Sequence, residues 1–277
     1  MTDADEGGRV IAVASGKGGV GKTTTALAVA ACAAGAGREA VVADADLGMA
    51  NVGTTLAVPD GATVHDVLAD RAEVADAIRD GPDGYDVLPG SEAVEDYAAI
   101  DPEALHGVVE TLREQYDVVV LDTGAGLSNE TVLPTAMADE TVVVTTDETA
   151  AVRDAAKTAA IVDRVDGAVT GAVVTRASAD RADDVADELG VDLVGFVPED
   201  DAVPDAIAAH DSVVGYAPES PAARAYCDLT ADLLGVAVTD IDVGGHTAEE
   251  GGVAAAAIEE RDDEERGGLF GRLNPFG

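Results

Sequence analysis

Residues Gly16-Lys17-Gly18-Gly19-Val20-Gly21-Lys22-Thr23 set two lysines and a hydroxyl in a glycine-rich run. The run follows an apolar, β-branched segment and opens an Ala-rich one, which predicts a loop between strand and helix. With the spacing GxxxxGK[ST] in that context, backbone N–H groups turn inward around phosphate oxygens at the positive end of a helix. In such a cradle Lys22 reaches the β- and γ-phosphates, and the Thr23 hydroxyl is a ligand for Mg²⁺. The chain contains only three lysines and two of them stand here, so lysine is kept where a phosphate needs it.

Carboxylates follow at the ends of two other apolar runs. Asp44 and Asp46 close one in Val41-Val-Ala-Asp-Ala-Asp-Leu-Gly-Met-Ala-Asn51, and Asp122 closes Val118-Val-Val-Leu121. At the C-terminal ends of parallel strands, acids face the ligand crevice of a doubly wound sheet. There Asp122 is placed to hold Mg²⁺ through water opposite Thr23, and Asp44 and Asp46 are further candidates near the metal. The glycines of Thr123-Gly124-Ala125-Gly126 allow a peptide flip near a γ-phosphate.

Presenting that loop and those acids together requires strands alternating with helices. Short apolar runs at 9–15, 40–43, 85–88, 117–121, 141–145, 168–175 and 191–197 predict buried parallel strands. Ala-rich stretches at 22–34, 102–116, 150–165, 179–189 and 221–234 predict the helices between them. The fold class is α/β: a doubly wound, mostly parallel sheet with helices on both faces, over 9–235. Residues 1–8 read as an acidic extension, 236–266 as an acidic linker and 267–277 as a short apolar tail.

Lys17-Gly-Gly-Val-Gly-Lys22-Thr23-Thr24 resembles the deviant phosphate loop of the MinD/ParA family of P-loop ATPases. The resemblance covers about 9–235 and implies ATP and Mg²⁺ as ligands, slow hydrolysis, and an ATP-dependent homodimer. In it, Lys17 reaches across to the partner's nucleotide. Asp44-x-Asp46 with Asn51 resembles the family's first switch. On that match Asp46 positions or activates the attacking water, while Asp44 and Asn51 shape the segment.

Asp122-Thr-Gly-Ala-Gly126 has Gly124 where most of the family has proline, and in this it resembles the flagellar-number regulators of the same family. Pro198-Glu199-Asp200 resembles the loop beside the nucleoside. Thr175-Arg176 stands where members often carry Asn-Arg, whose asparagine reads adenine. Thr145-Thr146-Asp147-Glu148 is only loosely similar to the family's Asn-Pro-Glu.

Composition narrows the remaining classes. There are 55 acidic residues against 16 basic ones, a formal net charge of −39, with 47% apolar residues to bury. Such a chain repels itself in dilute buffer, and molar salt shortens the Debye length to about 3 Å. The composition fits a salt-loving host such as a halophilic archaeon. It argues against nucleic acid, which asks for a basic stripe; from residue 177 onward there is no lysine and there are five arginines. A ParA-like partitioning ATPase is therefore the alternative rather than the first reading, and a nucleotide-dependent scaffold without hydrolysis is a third.

Cys32 and Cys227, far apart in sequence, read as small core residues and not as a disulfide or an iron–sulfur site. The four histidines show no ligand spacing. The acidic start lacks the marks of a signal peptide, and no apolar run is long enough to span a membrane, so the expected location is cytoplasmic.

The tail brings a second expectation. Leu269, Phe270, Leu273 and Phe276 fall on one face of a short helix, although Pro275 interrupts it and Arg272 is its only basic residue. It resembles the amphipathic membrane-targeting end of MinD proteins, which implies peripheral contact with the inner membrane face; a docking peptide for a protein partner is the alternative. The expected work is spatial: placing a division site or a polar motility or chemosensory apparatus, with an activator and cargo that the residues do not name.

Overall fold

In the computed structural model, residues 7–165 and 167–244 are described. Eight strands are formed: β1 (Arg9–Ser15), β2 (Ala40–Ala45), β3 (Arg79–Asp80), β4 (Asp86–Leu88), β5 (Val118–Ala125), β6 (Glu140–Thr145), β7 (Val169–Thr175) and β8 (Leu193–Val197). They make one sheet in the order β3-β4-β2-β5-β1-β6-β7-β8. All neighbours run parallel except the two-residue β3, which is antiparallel to β4 at the edge.

The connections supply the helices. α1 (Lys22–Gly35) follows β1; α2 (Val52–Thr55), α3 (Val64–Leu68) and α4 (Val74–Ala77) lie between β2 and β3; and α5 (Val94–Tyr97) and α6 (Leu105–Gln115) precede β5. Then come α7 (Asn129–Met137), α8 (Thr149–Arg164), α9 (Ala179–Leu189), α10 (Ala202–Ala208), α11 (Val213–Tyr216) and α12 (Pro221–Leu234). The short ones, α2 to α5, α10 and α11, have too few turns to leave a periodic signal and were not expected from the sequence.

Alternate residues of each strand feed two cores, as a sheet covered on both faces requires. Ile11 and Val13 point with Val42 and Val120 toward α1, α11 and α12. Val10 and Ala12 point with Val41, Val119 and Leu121 toward α3 and α6. α1 is buried from Thr25 to Ala33, which explains why its sequence is apolar all round and not striped.

Two strands run further than their apolar content predicts. β2 continues through Asp44 to Ala45, and β5 through Asp122 to Ala125, with Asp44 and Asp122 paired in register. Hydropathy drops where the chemistry begins, although the backbone pairing does not.

Two boundaries are corrected. Gly7 and Gly8 belong to the domain, since Gly8 N–H donates to Arg113 O at 2.7 Å and a Cβ at Gly8 would lie 1.7 Å from Tyr116 O. Residues 236–244, expected in the linker, fold back: Asp242 N–H donates to Gly35 O at 2.9 Å, and Ile241 and Val243 pack on the core beside α1. The rest of that linker and the tail, with Leu269, Phe270, Leu273 and Phe276, lie outside the described residues.

The cysteines carry a contact that their spacing hid. Both are core residues as expected, but α1 packs on α12 and brings Cys32 Sγ to 3.2 Å from Cys227 Sγ. A separation of 195 positions in sequence hid a direct contact. Burial and the neighbouring Cys227 sulfur push the Cys32 thiol up, so it stays protonated. In the native protein neither thiol should react with a disulfide-exchange reagent such as dithiobis(nitrobenzoate); after denaturation under nitrogen, two per chain should. Fast native labelling would contradict the α1–α12 packing.

Candidate functional site

The glycine-rich loop, 16–21, links β1 to α1 at the C-terminal edge of the sheet. Gly19 (φ 76°) and Gly21 (φ 100°) take backbone conformations that residues with a Cβ rarely adopt. Gly16 lies so close to α8 that a Cβ there would come within 2.1 Å of the Asp154 backbone.

Four carbonyls of the loop are held by side chains. Ser15 Oγ donates to Lys17 O at 2.9 Å and Arg176 Nη2 to Gly19 O at 2.9 Å. Thr175 Oγ1 donates to Val20 O at 2.7 Å, and Thr25 Oγ1 to Gly21 O at 2.8 Å. In a trans peptide the next N–H points opposite to the carbonyl. The N–H groups of Gly18, Val20, Gly21 and Lys22 are therefore turned away from those four donors, as a phosphate cradle needs. Thr175 and Arg176, expected near a base, act here as clamps on the loop. Arg176 itself sits at φ 55°.

Next to the loop, Thr23 Oγ1 lies 2.6 Å from Asp122 Oδ2 and 3.1 Å from Asn51 Oδ1. Asp122 is buried, and its Oδ1 has no hydrogen-bond partner. A buried carboxylate oxygen without a partner is costly unless a cation completes it. Together with a threonine hydroxyl this is an oxygen donor set suited to Mg²⁺, so the residues present fit the expected metal. Burial pushes the Asp122 carboxyl up to about 6, while Lys22 and the Thr23 hydroxyl pull it down and Asp46 adds to the rise.

Asp44 has a different occupation from the metal role expected of it. Its Oδ2 accepts the N–H of Asn51 (2.9 Å) and of Val52 (3.0 Å), and its Oδ1 that of Asp46 (3.2 Å). The carboxylate is thus the internal support of the 46–51 loop. Burial and the adjacent Asp122 raise it to about 7, against those backbone bonds. Asp46 is half-buried, its Oδ1 accepting Met49 N–H at 3.2 Å, and it faces the crevice closely enough to perturb Asp122.

Lys17 is exposed and its Nζ lies 2.7 Å from Glu148 Oε2. Glu148 begins α8, and the Lys17 ammonium, aided by Arg176, holds its carboxyl below the ordinary range. In the sequence Glu148 stands out only by its place in Thr145-Thr146-Asp147-Glu148; its nearness follows from β6 lying beside β1. Gly126 (φ 93°) closes β5, its N–H donating to Ser15 O at 2.9 Å. In the loop of Pro198, Glu199 and Asp200, the Asp200 carboxylate accepts the N–H of Ala202 and of Ala222, both at 3.0 Å. These bonds hold it below its ordinary range, and they spend it on the starts of α10 and α12. Glu199 is exposed. A concavity of about 1020 Å³ between Arg38 and Tyr116 lies at the opposite edge of the sheet and contains none of these residues.

A raised carboxyl favours the folded state at low pH: its contribution is full below the unfolded value near 4 and is lost as pH rises through the folded one. For Asp44 and Asp122 that loss falls between about pH 5 and 8. The thermal midpoint of the metal-free protein should therefore fall from pH 5.5 to pH 8, with a shallower slope in Asp122→Asn. Added Mg²⁺ with nucleotide should stabilise more at pH 8 than at pH 5.5, because the ligand is the ionised Asp122. An equal gain at both would exclude Asp122 from the metal site.

Known proteins share this fold. A family model described as the CobQ/CobB/MinD/ParA nucleotide binding domain matches residues 11–213. An uncharacterised ATP-binding protein of Methanocaldococcus jannaschii is 36% identical over 230 residues, 81% of this chain and 87% of that protein. The antiactivator FleN of Pseudomonas aeruginosa is 29% identical over 79% of this chain and 83% of its own. The septum site-determining protein MinD of Pyrococcus horikoshii, solved with Mg-ADP, is similar at a TM-score of 0.76 and 31% identity, over 81% of this chain and 95% of that one. The family model spans most of the chain, and relatives at 36% and 31% identity cover most of it, so the chain belongs to the MinD/ParA family of P-loop ATPases.

Proposed function

We propose that this protein is an ATP-dependent dimerising switch of the MinD type, which hydrolyses ATP slowly and positions a division site or a polar structure. The reading is carried by the contact of Thr23 with both Asp122 and Asn51, which joins the phosphate loop, the metal carboxylate and the 46–51 segment at one hydroxyl.

Each residue then has a task. The loop N–H groups and Lys22 hold the β- and γ-phosphates. Thr23 and Asp122 would hold Mg²⁺, which when bound would neutralise charge on the phosphate oxygens. Asp46 orients the attacking water, and Asn51 reports the state of Thr23 to the segment that carries Asp46. Phosphoryl transfer of this kind depends on positioning more than on covalent chemistry, which suits so small a set of groups.

Lys17 leaves Glu148 for the partner's nucleotide on dimerisation. Its ion pair is solvent-exposed, and such pairs are weak enough to exchange. Gly18, where an added Cβ would meet nothing within 4 Å, leaves that approach open.

The Asp122-Thr-Gly-Ala-Gly126 segment, which resembles that of the flagellar-number regulators, favours a polar structure as cargo over a septum. Among the described residues no helix is long and apolar enough to cross a membrane. Membrane contact rests on residues 267–277, doubled in a dimer so that two weak anchors act together.

Lys22→Ala should abolish ATP turnover. Asp46→Ala should keep ATP binding, lower kcat roughly 100-fold or more and accumulate a dimer on size exclusion with ATP but not ADP. In molar KCl the Asp46→Ala dimer should sediment with anionic liposomes, and truncation after Arg266 should release it. Turnover retained in Lys22→Ala would remove the phosphate-loop assignment, whereas sedimentation unaffected by truncation would remove only the tail's part.

A further inference from the structure

His65 on α3 is completely buried, and both of its ring nitrogens are engaged. Nε2 lies 2.8 Å from Leu47 O, and Nδ1 lies 3.0 Å from Ser91 N. A carbonyl can only accept and a backbone N–H can only donate, so Nε2 carries the proton and Nδ1 is bare. The ring is neutral, in one tautomer, and bridges two segments that are distant in sequence. One is the loop that carries Asp46, immediately before Leu47.

We propose that His65 is the positioning residue of that loop: its Nε2–H holds the Leu47 carbonyl and so fixes the backbone from which Asp46 reaches the attacking water. The inference rests on the role given to Asp46 under the proposed function.

The loop is anchored at its two ends by Asp44, through the N–H groups of Asp46, Asn51 and Val52. Between those ends Gly48 and Met49 are exposed, Met49 to 79%. Leu47 is the one place between them where a side chain from another segment takes hold of the main chain, among the described residues. Without His65, the Leu47–Gly48 peptide would have a buried carbonyl and no side-chain donor, and it would turn to find one.

The other end of the strut is itself fixed. Ser91 Oγ donates to Asp96 Oδ2 at 2.7 Å, Arg71 Nη2 donates to Asp96 Oδ1 at 2.7 Å, and Arg71 Nε donates to Asp66 at 2.8 Å. Val64 N–H donates to Pro89 O at 2.8 Å, which ties α3 to the same segment. Next to Ser91, Gly90 lies against the Asp46 loop so closely that a Cβ would meet Ala50 Cβ at 2.4 Å. The imidazole therefore spans two pieces of chain that have little freedom to move apart. Preorganisation of this kind affects the reacting geometry more than the binding of the nucleotide.

The two ring bonds can be separated by substitution. In His65→Gln the amide N–H reaches the place of Nε2; in His65→Asn the amide oxygen takes the place of Nδ1 and nothing reaches Leu47. The test is steady-state ATP hydrolysis by the full chain in molar KCl, well below each variant's thermal midpoint, with Asp46→Ala beside them. His65→Asn should lose ~10- to 100-fold in kcat with the KM for ATP changed less than about twofold, and His65→Gln should recover most of the loss.

Unchanged kcat in His65→Asn, or a loss that His65→Gln does not rescue, overturns the inference and leaves Asp46 in place. If Asp46→Ala turns over like the parent, the reading of Asp46 falls and takes this inference with it. Independently of activity, the imidazole ¹⁵N spectrum should show a protonated Nε2 and an unprotonated Nδ1 at neutral pH. The opposite tautomer would place no donor on Leu47 and would also overturn it.

Discussion

Two carboxylates buried side by side, Asp44 and Asp122, level with each other on β2 and β5, are the constraint around which the site is arranged. Like charges in a low-dielectric interior cannot both be carried without help. The protein helps each in a different way. Asp44 receives three backbone N–H groups from the loop that follows it, and in satisfying the acid the loop acquires its shape. Asp122 receives one hydroxyl and the distant field of Lys22, and keeps an oxygen without a partner. One acid is completed by the chain and the other is left for a cation. That division explains why the first builds structure while the second belongs to the chemistry.

The same economy of donors runs through the phosphate loop. Side chains from β1, α1 and the end of β7 take its carbonyls, so the N–H groups are left for the ligand side. Thr175 shows how a position can keep its place while changing its work: its hydroxyl is buried and engaged with Val20 O, and it has become part of the loop's scaffold.

Much of this was legible in residue order, for reasons that differ by element. The glycine spacing, the two lysines and the acid after Leu121 are local patterns, and local patterns survive without a structure. The seven longer strands were readable because burial on both faces makes them continuously apolar. Their ends were not: Asp44, Asp122 and Thr123 look like loop residues by composition, yet they lie within strands because the neighbouring strand and not the solvent receives their backbone. Contacts across sequence were invisible in the same way. Glu148 meets Lys17, Cys32 meets Cys227, and His65 meets Leu47 only because the strand order folds distant segments together. A single histidine has no spacing to read, and a carboxylate such as Asp200, spent on two helix starts, looks in sequence like one available for a ligand.

The place where the described chain ends has its own consequence. Asp242 is bonded to Gly35, at the last turn of α1, whereas the phosphate loop opens the first turn of the same helix. Fourteen helical residues separate the two ends, a distance of about 21 Å. The phosphate loop and Asp242 thus sit at opposite poles of one helix. Within a single subunit, α1 is a strut and not a lever, since its whole middle is packed in the core. Under the proposed ATP-dependent dimer, whatever leaves the domain at that pole would sense the nucleotide by being counted: one copy when subunits are apart, two when they are joined.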